Sequence, residues 1–123
     1  MTANRVLYVE DHADTCDMLK TMLECSDMEA FGAPDVGVAL RMIERERFDL
    51  YVLDGGLRGV KGLSPCEQIR ASDARTPIVI FSGHAHASDI EAGLLAGANA
   101  YLVKPDSSEL IATIRRLLEA APV

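Results

Sequence analysis

The segment Val6-Leu-Tyr-Val-Glu-Asp11 joins a continuous apolar run to two adjacent acids. Its apolar part mixes β-branched, aromatic and aliphatic residues without polar alternation, which is typical of a parallel strand covered on both faces. Three other runs share this composition and are bounded by charged residues, Gly or Pro: Leu50-Tyr-Val-Leu53, Ile78-Val-Ile-Phe81 and Tyr101-Leu-Val103. A weaker run at residues 28–31, Met-Glu-Ala-Phe, predicts an edge strand.

The segments between these runs have the spacing of amphipathic helices. The clearest apolar stripe has the helical spacing i, i+4, i+7 and i+8: Leu110, Ile114, Leu117 and Leu118. His12 is predicted to cap or border the first helix. Three other helix starts carry a capping box, in which a Ser or Asp accepts from a backbone N–H and a later Glu reaches back: Ser64 with Glu67, Ser88 with Glu91, and Asp106 with Glu109. Strand and helix thus alternate five times, which predicts a (βα)5, doubly wound, open parallel sheet.

Length, charge and cysteine content narrow the class of protein. A chain of 123 residues is expected to form one domain, residues 1–123. Its net charge of −7 argues against nucleic-acid binding, which needs clustered basic residues.

No stretch approaches the roughly 18 apolar residues of a membrane span. Glu10 and Asp11 stand where a signal peptide is apolar, so a cytoplasmic protein is expected. Three cysteines form no metal-ligand or CxxC pattern and are predicted to be reduced, structural residues: Cys16, Cys25 and Cys66.

Polar residues with phosphoryl-transfer chemistry follow four of the five strands. Ligands bind at the carboxyl ends of strands in open α/β sheets, so these side chains are expected to converge. Repelling carboxylates at one site favour a hard divalent cation, most plausibly Mg²⁺, and an ammonium with a hydroxyl suits a phosphoryl group. Each residue also has a purely structural interpretation, as a helix cap, a turn or loop surface. The residues are Glu10, Asp11, Asp54, Ser82, Gly83 and Lys104.

The chain resembles the receiver domains of two-component response regulators along essentially its whole length. The most specific segment is Ala96-Gly-Ala-Asn-Ala-Tyr-Leu-Val-Lys-Pro105, which is similar to the family's fifth strand and Lys-Pro dipeptide. The other matching features are the acidic pair Glu10 and Asp11, the strand-ending Asp54, the Phe81-Ser82-Gly83 turn, and Gly62 eight positions after Asp54. The resemblance implies a CheY-like, flavodoxin-like fold.

The resemblance also implies a role for each matching residue. Asp54 matches the phosphoacceptor, which takes a phosphoryl group from a phosphohistidine of a sensor histidine kinase or phosphotransfer protein. Lys104 matches the ammonium that contacts the phosphate, and the Lys104–Pro105 bond is typically cis in this family. The implied Mg²⁺ ligands are Glu10, Asp11, Asp54 and the backbone carbonyl of Gly56.

The implied response is a conformational switch rather than turnover of a separate substrate. Ser82 matches the switch hydroxyl, Gly83 and Gly56 border the phosphate, and Tyr101 matches an aromatic residue that turns inward once the hydroxyl moves. The face of the fourth helix, fifth strand and fifth helix, about residues 89–119, matches the usual docking surface for a downstream protein. A monomer or a phosphorylation-induced dimer is expected.

Departures from the family pattern keep alternatives open. Asp54 is followed by Gly55 and Gly56, where receivers commonly have an apolar residue and then a side chain that tunes phosphoryl lifetime. His84 occupies another position associated with that lifetime. A phosphorylation-independent pseudo-receiver that acts as a protein-interaction module is the main alternative. An aspartate-nucleophile phosphatase is disfavoured because Gly56 stands where its second Asp, the general acid, would be.

Overall fold

The structure, a computed structural model, describes residues 3–59, 62–104 and 107–120. Five strands alternate with five helices along these ranges. The strands pair in parallel in the order β2-β1-β3-β4-β5, which confirms the predicted doubly wound sheet. The elements are β1 (Arg5–Val9), α1 (Ala13–Cys25), β2 (Glu29–Ala33), α2 (Val36–Arg45), β3 (Leu50–Asp54), α3 (Pro65–Ser72), β4 (Ile78–Ser82), α4 (Ala87–Leu95), β5 (Ala100–Val103) and α5 (Ser107–Ala120).

The three central strands are apolar throughout because both faces of the sheet are covered. Alternate side chains of each strand point to opposite faces. On one face they pack with α1 and α5 through residues such as Leu23 and Ile114. On the other face they pack with α2 and α3 through residues such as Ala39 and Ile69. Within the described residues, no helix is long and apolar enough to cross a bilayer.

The helix starts agree with the predicted caps only in part. Ser64 forms the predicted capping box with Glu67 and precedes α3. The Ser88 cap is wrong: α4 begins at Ala87, so Ser88 lies inside the first turn, and the carbonyl of His86 accepts the amide of Ile90. The Asp106 cap lies outside the described residues.

Three further local details refine the sequence expectations. His12 occupies the position before α1, as predicted, but its side chain makes no capping hydrogen bond. Asp35, which was not predicted, caps α2 by accepting from the amide of Val38 at 2.9 Å. β2 begins at Glu29 rather than at Met28, because the Met28 amide still donates to Leu23 in the turn that ends α1.

The cysteines are free thiols, and two of them have structural contacts. Cys66 is buried, and its Sγ lies 3.6 Å from the carbonyl oxygen of Ala96. Burial raises the pKa of the Cys66 thiol, which keeps it protonated. Cys16 is half-buried, with its Sγ 3.3 Å from the carbonyl of Glu10, and Cys25 is exposed.

Asp73 organises the edge of the sheet opposite the strand-end carboxylates. One carboxylate oxygen accepts the buried hydroxyl of Tyr51 at 2.7 Å, and the other accepts the amides of Arg75 and Thr76, each at 3.0 Å. Burial alone would raise the pKa of Asp73, but the hydrogen bonds from Thr76, Tyr51 and Arg75 together lower it to about 2.

Asp73→Asn is expected to reduce the free energy of unfolding at pH 7 by about 1–2 kcal/mol. Because the pKa of Asp73 is lower in the folded state, its ionised carboxylate stabilises the protein at pH values above the ordinary carboxyl pKa of 3.8. This contribution is lost as the pH falls toward about 2. The deficit of the variant should therefore shrink between pH 4 and pH 2. Urea unfolding at several pH values checks this, with the exposed Asp17→Asn as control. A deficit at pH 3 as large as at pH 7 would refute the linkage.

Candidate functional site

The parallel register brings the carboxyl ends of four strands to one edge of the sheet. Asp54 ends β3 beside Phe81 of β4, and Ser82 ends β4 beside Val103 of β5. Glu10 follows β1 directly. The polar residues predicted at the strand ends therefore share one edge.

Glu10 is the most buried charged residue of this edge, with 1% of its surface exposed. One carboxylate oxygen accepts from the ammonium of Lys104 at 3.0 Å. The other accepts from the amides of Asp11 at 3.1 Å and His12 at 3.3 Å. Burial raises the pKa of Glu10 above its ordinary value, although the bond from Lys104 acts in the opposite direction.

Lys104 joins Glu10 to Asp54 across the site. Its ammonium lies 3.3 Å from Oδ1 of Asp54, and the same oxygen accepts the amide of Gly56 at 3.1 Å. Burial alone would lower the pKa of Lys104, but the two carboxylates together raise it, so the ammonium stays charged. The carboxylate of Asp54 is thus oriented by two donors, and its side chain keeps 11% of its surface exposed.

The charge and chemistry of the site fit a divalent cation. Three carboxylates, those of Glu10, Asp11 and Asp54, face a single ammonium, which leaves a negative potential. Ligand atoms of Glu10, Asp11 and His12 all lie within 4.8 Å of one another. Carboxylate oxygens are the ligands that Mg²⁺ prefers. The ring of His12, 3.2 Å from Asp11, adds a nitrogen donor to this group that the sequence had not indicated.

Ser82 is fully buried, and its position depends on a glycine. Its Oγ accepts the amide of His84 at 3.0 Å. A β-carbon on Gly55 would overlap the Cβ and Oγ of Ser82, so the residue after Asp54 has no side chain because Ser82 occupies that space. This packing gives a physical reason for one of the unusual glycines.

Gly56 has a different environment from Gly55. A β-carbon on Gly56 would lie 3.7 Å from both carboxylate oxygens of Asp54 and 4.0 Å from Nε2 of His84, which are ordinary contacts. The carboxylate of Asp54 and Nε2 of His84 therefore both border the space that a side chain at position 56 would occupy. Gly83 is exposed, with open space around its β position.

Tyr101 is the remaining predicted site residue, and it is tied to the loop after β4. Its hydroxyl donates to the carbonyl oxygen of His84 at 2.8 Å. The backbone of His84 thus bonds both Ser82, through its N–H, and Tyr101, through its C=O.

Gly62 has φ +77°, a backbone conformation that L side chains rarely adopt. Pro105, and with it the predicted cis bond, lies outside the described residues.

Comparison with known proteins gives one consistent family. The model of the response regulator receiver domain matches residues 6–115. The chain is 38% identical over 119 residues to the transcriptional regulatory protein PrrA of Mycobacterium tuberculosis, covering 96% of this chain and 51% of that protein. It is 37% identical over 123 residues to the response regulator ArlR of Staphylococcus saprophyticus, covering 96% and 54%. The chain therefore spans about half the length of these curated relatives.

Solved structures agree with the sequence matches. The receiver domain of the Francisella response regulator 1452 superimposes with a TM-score of 0.86 at 28% identity, covering 95% of this chain and 98% of that one. A CheY-like receiver domain protein from Methanospirillum hungatei JF-1 also gives 0.86 at 28% identity, covering 96% and 95%. The chain belongs to the response regulator receiver domains of two-component signalling systems.

Proposed function

We propose that Asp54 accepts a phosphoryl group from a phosphohistidine of a sensor histidine kinase or phosphotransfer protein, in a Mg²⁺-dependent reaction. The observation that carries the proposal is the ammonium of Lys104, which lies 3.3 Å from Asp54 and 3.0 Å from the buried Glu10. A carboxylate nucleophile beside a fixed cation is what transfer of a charged phosphoryl group needs.

The transfer forms and breaks one bond at phosphorus. An oxygen of Asp54 attacks phosphorus in line, the N–P bond of the phosphohistidine breaks, and the leaving imidazole takes a proton from solvent water and departs neutral. Lys104 offsets the charge on the phosphoryl oxygens, and the hydroxyl of Ser82 and the amide of Gly83 donate to them. Hydrolysis by water later regenerates Asp54 and releases inorganic phosphate. The chain therefore acts on itself and is not a turnover enzyme for another substrate.

The bound cation would be held by Glu10, Asp11, Asp54 and the backbone carbonyl of Gly56. When bound, it supplies positive charge to the phosphoryl oxygens. The carboxylate of Glu10 is buried, and the bonds from Lys104 and two amides fix the position of the oxygens that it would offer to the cation. Asp11 is exposed and Asp54 is partly exposed, which leaves their oxygens accessible.

Ser82 and Tyr101 couple phosphorylation of Asp54 to the conformation of the docking face. A phosphate on Asp54 that draws the Ser82 hydroxyl toward it weakens the bond from the His84 amide, and the same residue holds the hydroxyl of Tyr101. The protein then shifts toward the conformation that binds the phosphate better, and the change appears at the face of α4, β5 and α5. We propose that this face docks a downstream protein. We also propose that the chain acts in the cytoplasm. Its proposed oligomeric state is a monomer or a phosphorylation-induced dimer.

The test is an acid-quenched intact-mass time course with acetyl phosphate, with and without Mg²⁺. A receiver gains one phosphoryl group only when Mg²⁺ is present, and the decay of this species gives its lifetime. A pseudo-receiver gains none at any time and does not bind beryllofluoride, which mimics the phosphoryl group. Those two negative results together would contradict the proposal.

Lys104→Ala is expected to separate cation binding from phosphoryl transfer. Loss of the ammonium removes charge stabilisation and slows phosphorylation by about tenfold or more, while the more negative pocket binds Mg²⁺ more tightly. Some phosphorylation remains, but the response at the docking face is uncoupled. Initial rates with acetyl phosphate and calorimetric Mg²⁺ titrations check both effects, with the exposed Lys20→Ala as control. Weaker Mg²⁺ binding in the Lys104 variant would be inconsistent with this account.

A further inference from the structure

Gly93 lies in the last turn of α4, still within the helix, where glycine is less favourable than alanine. Glycine loses more backbone freedom than alanine when a helix forms, and α4 has no turn or positive φ at this position that needs it. Packing gives the reason. A β-carbon on Gly93 would lie 2.8 Å from Cδ2 and 3.2 Å from Cε2 of Tyr101, and 2.9 Å from Cδ1 of Ile80.

The ring of Tyr101 therefore rests directly on the backbone of α4. Its hydroxyl donates to His84 at 2.8 Å, so both ends of the side chain have a defined partner. Real β-carbons essentially never approach a neighbour within 3.0 Å, so a side chain at position 93 would have to displace this ring. The methyl end of Ile80 is flexible and can move, whereas the Tyr101 ring is held at its hydroxyl.

We propose that Gly93 is a positioning residue that forms the seat of the Tyr101 ring and so sets how readily the domain adopts its phosphate-favoured state. The proposal rests on the switch role of Tyr101 in the proposed function. We identify the observed ring position, half-buried against α4 with its hydroxyl on His84, with the phosphate-favoured one. A side chain at position 93 destabilises this ring position and so weakens the binding of every ligand that favours it. Glycine at this position lowers the stability of α4 but leaves the space that the Tyr101 ring occupies.

Fluorine NMR of unphosphorylated, 3-fluorotyrosine-labelled protein tests whether Gly93 positions the Tyr101 ring. The chain has three tyrosines. Tyr8 and Tyr51 are buried and serve as internal references, and Tyr101→Phe assigns the third resonance. In Gly93→Ala, only the Tyr101 resonance should shift, with a larger H₂O/D₂O isotope shift as the ring moves to solvent. Gly37→Ala, a matched change within α2, should leave it in place.

Beryllofluoride binding in the presence of Mg²⁺ tests the consequence for the response. Gly93→Ala should raise the Kd by about fivefold or more. An unchanged Tyr101 resonance in folded Gly93→Ala overturns the proposal, and so does an unchanged Kd in protein whose resonance has moved. A wild type that neither gains a phosphoryl group nor binds beryllofluoride contradicts the proposed function, while the fluorine spectra still decide whether Gly93 seats the ring.

A second variant covers the case in which Gly93→Ala fails to fold. Tyr101→Ala removes the ring that the new methyl group would meet. The double variant Gly93→Ala/Tyr101→Ala should then fold and melt at least as high as Tyr101→Ala alone, because alanine favours the helix. A double variant that melts well below Tyr101→Ala would show that position 93 excludes side chains for another reason, and would overturn the proposal.

Discussion

The Asp54→Asn domain is expected to gain no phosphoryl group from acetyl phosphate, whatever the Mg²⁺ concentration. An amide is a poor nucleophile toward phosphorus and cannot form the acyl phosphate that a carboxylate forms. The substitution also removes one of three neighbouring carboxylates, so the folded state should be as stable as the wild type or slightly more so. The loss of phosphorylation can therefore be separated from unfolding. Acid-quenched intact mass and a thermal melt on the same sample check both points.

Asp17→Asn is the matched control for this experiment. Asp17 is exposed on α1 and distant in sequence from the end of β3, so its variant should be phosphorylated at the rate of the wild type. An Asp54→Asn protein that is still phosphorylated on a carboxylate would show that another acid is the acceptor. The nearby Glu10 and Asp11 would then be the first residues to substitute.

Arg70→Ala is expected to cause the largest loss of stability, about 2–4 kcal/mol in the free energy of unfolding. The guanidinium donates four hydrogen bonds to three separate parts of the chain. It reaches the carbonyl of Gly97 at 2.9 Å, those of Thr76 at 2.6 Å and Asp73 at 3.2 Å, and the side chain of Asn99 at 2.8 Å. These bonds tie the end of α3 to the start of β4 and to the turn before β5.

Urea unfolding of Arg70→Ala, Arg70→Lys and Arg75→Ala measures the contribution of this arginine. Arg75 is exposed in the same loop, and its removal should change the free energy of unfolding by less than about 0.5 kcal/mol. Lysine at position 70 should recover only part of the loss, since an ammonium cannot reach all four acceptors in the plane of a guanidinium. Equal stability of the alanine and wild-type proteins would disprove the role of this network.

The fold could be predicted because its decisive features are local. A strand buried on both faces must be apolar throughout, as at residues 6–9, and helical stripes repeat within a few turns. Because ligands bind at the carboxyl ends of strands in open α/β sheets, the sequence also predicts Glu10, Asp54 and Lys104 at one edge of the sheet. The Ser88 cap was wrong because the first turn of α4 already begins at the carbonyl of His86. The predicted edge strand β2 is confirmed, but it begins one residue later because the turn after α1 still holds the Met28 amide.

The remaining details of the site depend on contacts between distant residues. Nothing near Glu10 in the sequence indicates that Lys104, far along the chain, binds its carboxylate. Gly55 and Gly93 have no side chain because the space next to each is occupied by a residue of a strand, Ser82 of β4 for Gly55 and Tyr101 of β5 for Gly93. A glycine that the sequence can only describe as flexible is explained by what occupies the space next to it. Such steric requirements emerge only when the chain is folded.

Locating the phosphoryl group within the sequence tests the central claim most directly. Wild-type protein phosphorylated with acetyl phosphate and Mg²⁺ is treated with borohydride, which reduces an aspartyl phosphate to homoserine, and is then mapped by tandem mass spectrometry. We expect homoserine at position 54, with Asp11 and Asp17 unchanged. Reduction at another carboxylate, or a phosphoryl group found on a histidine such as His84, would contradict it.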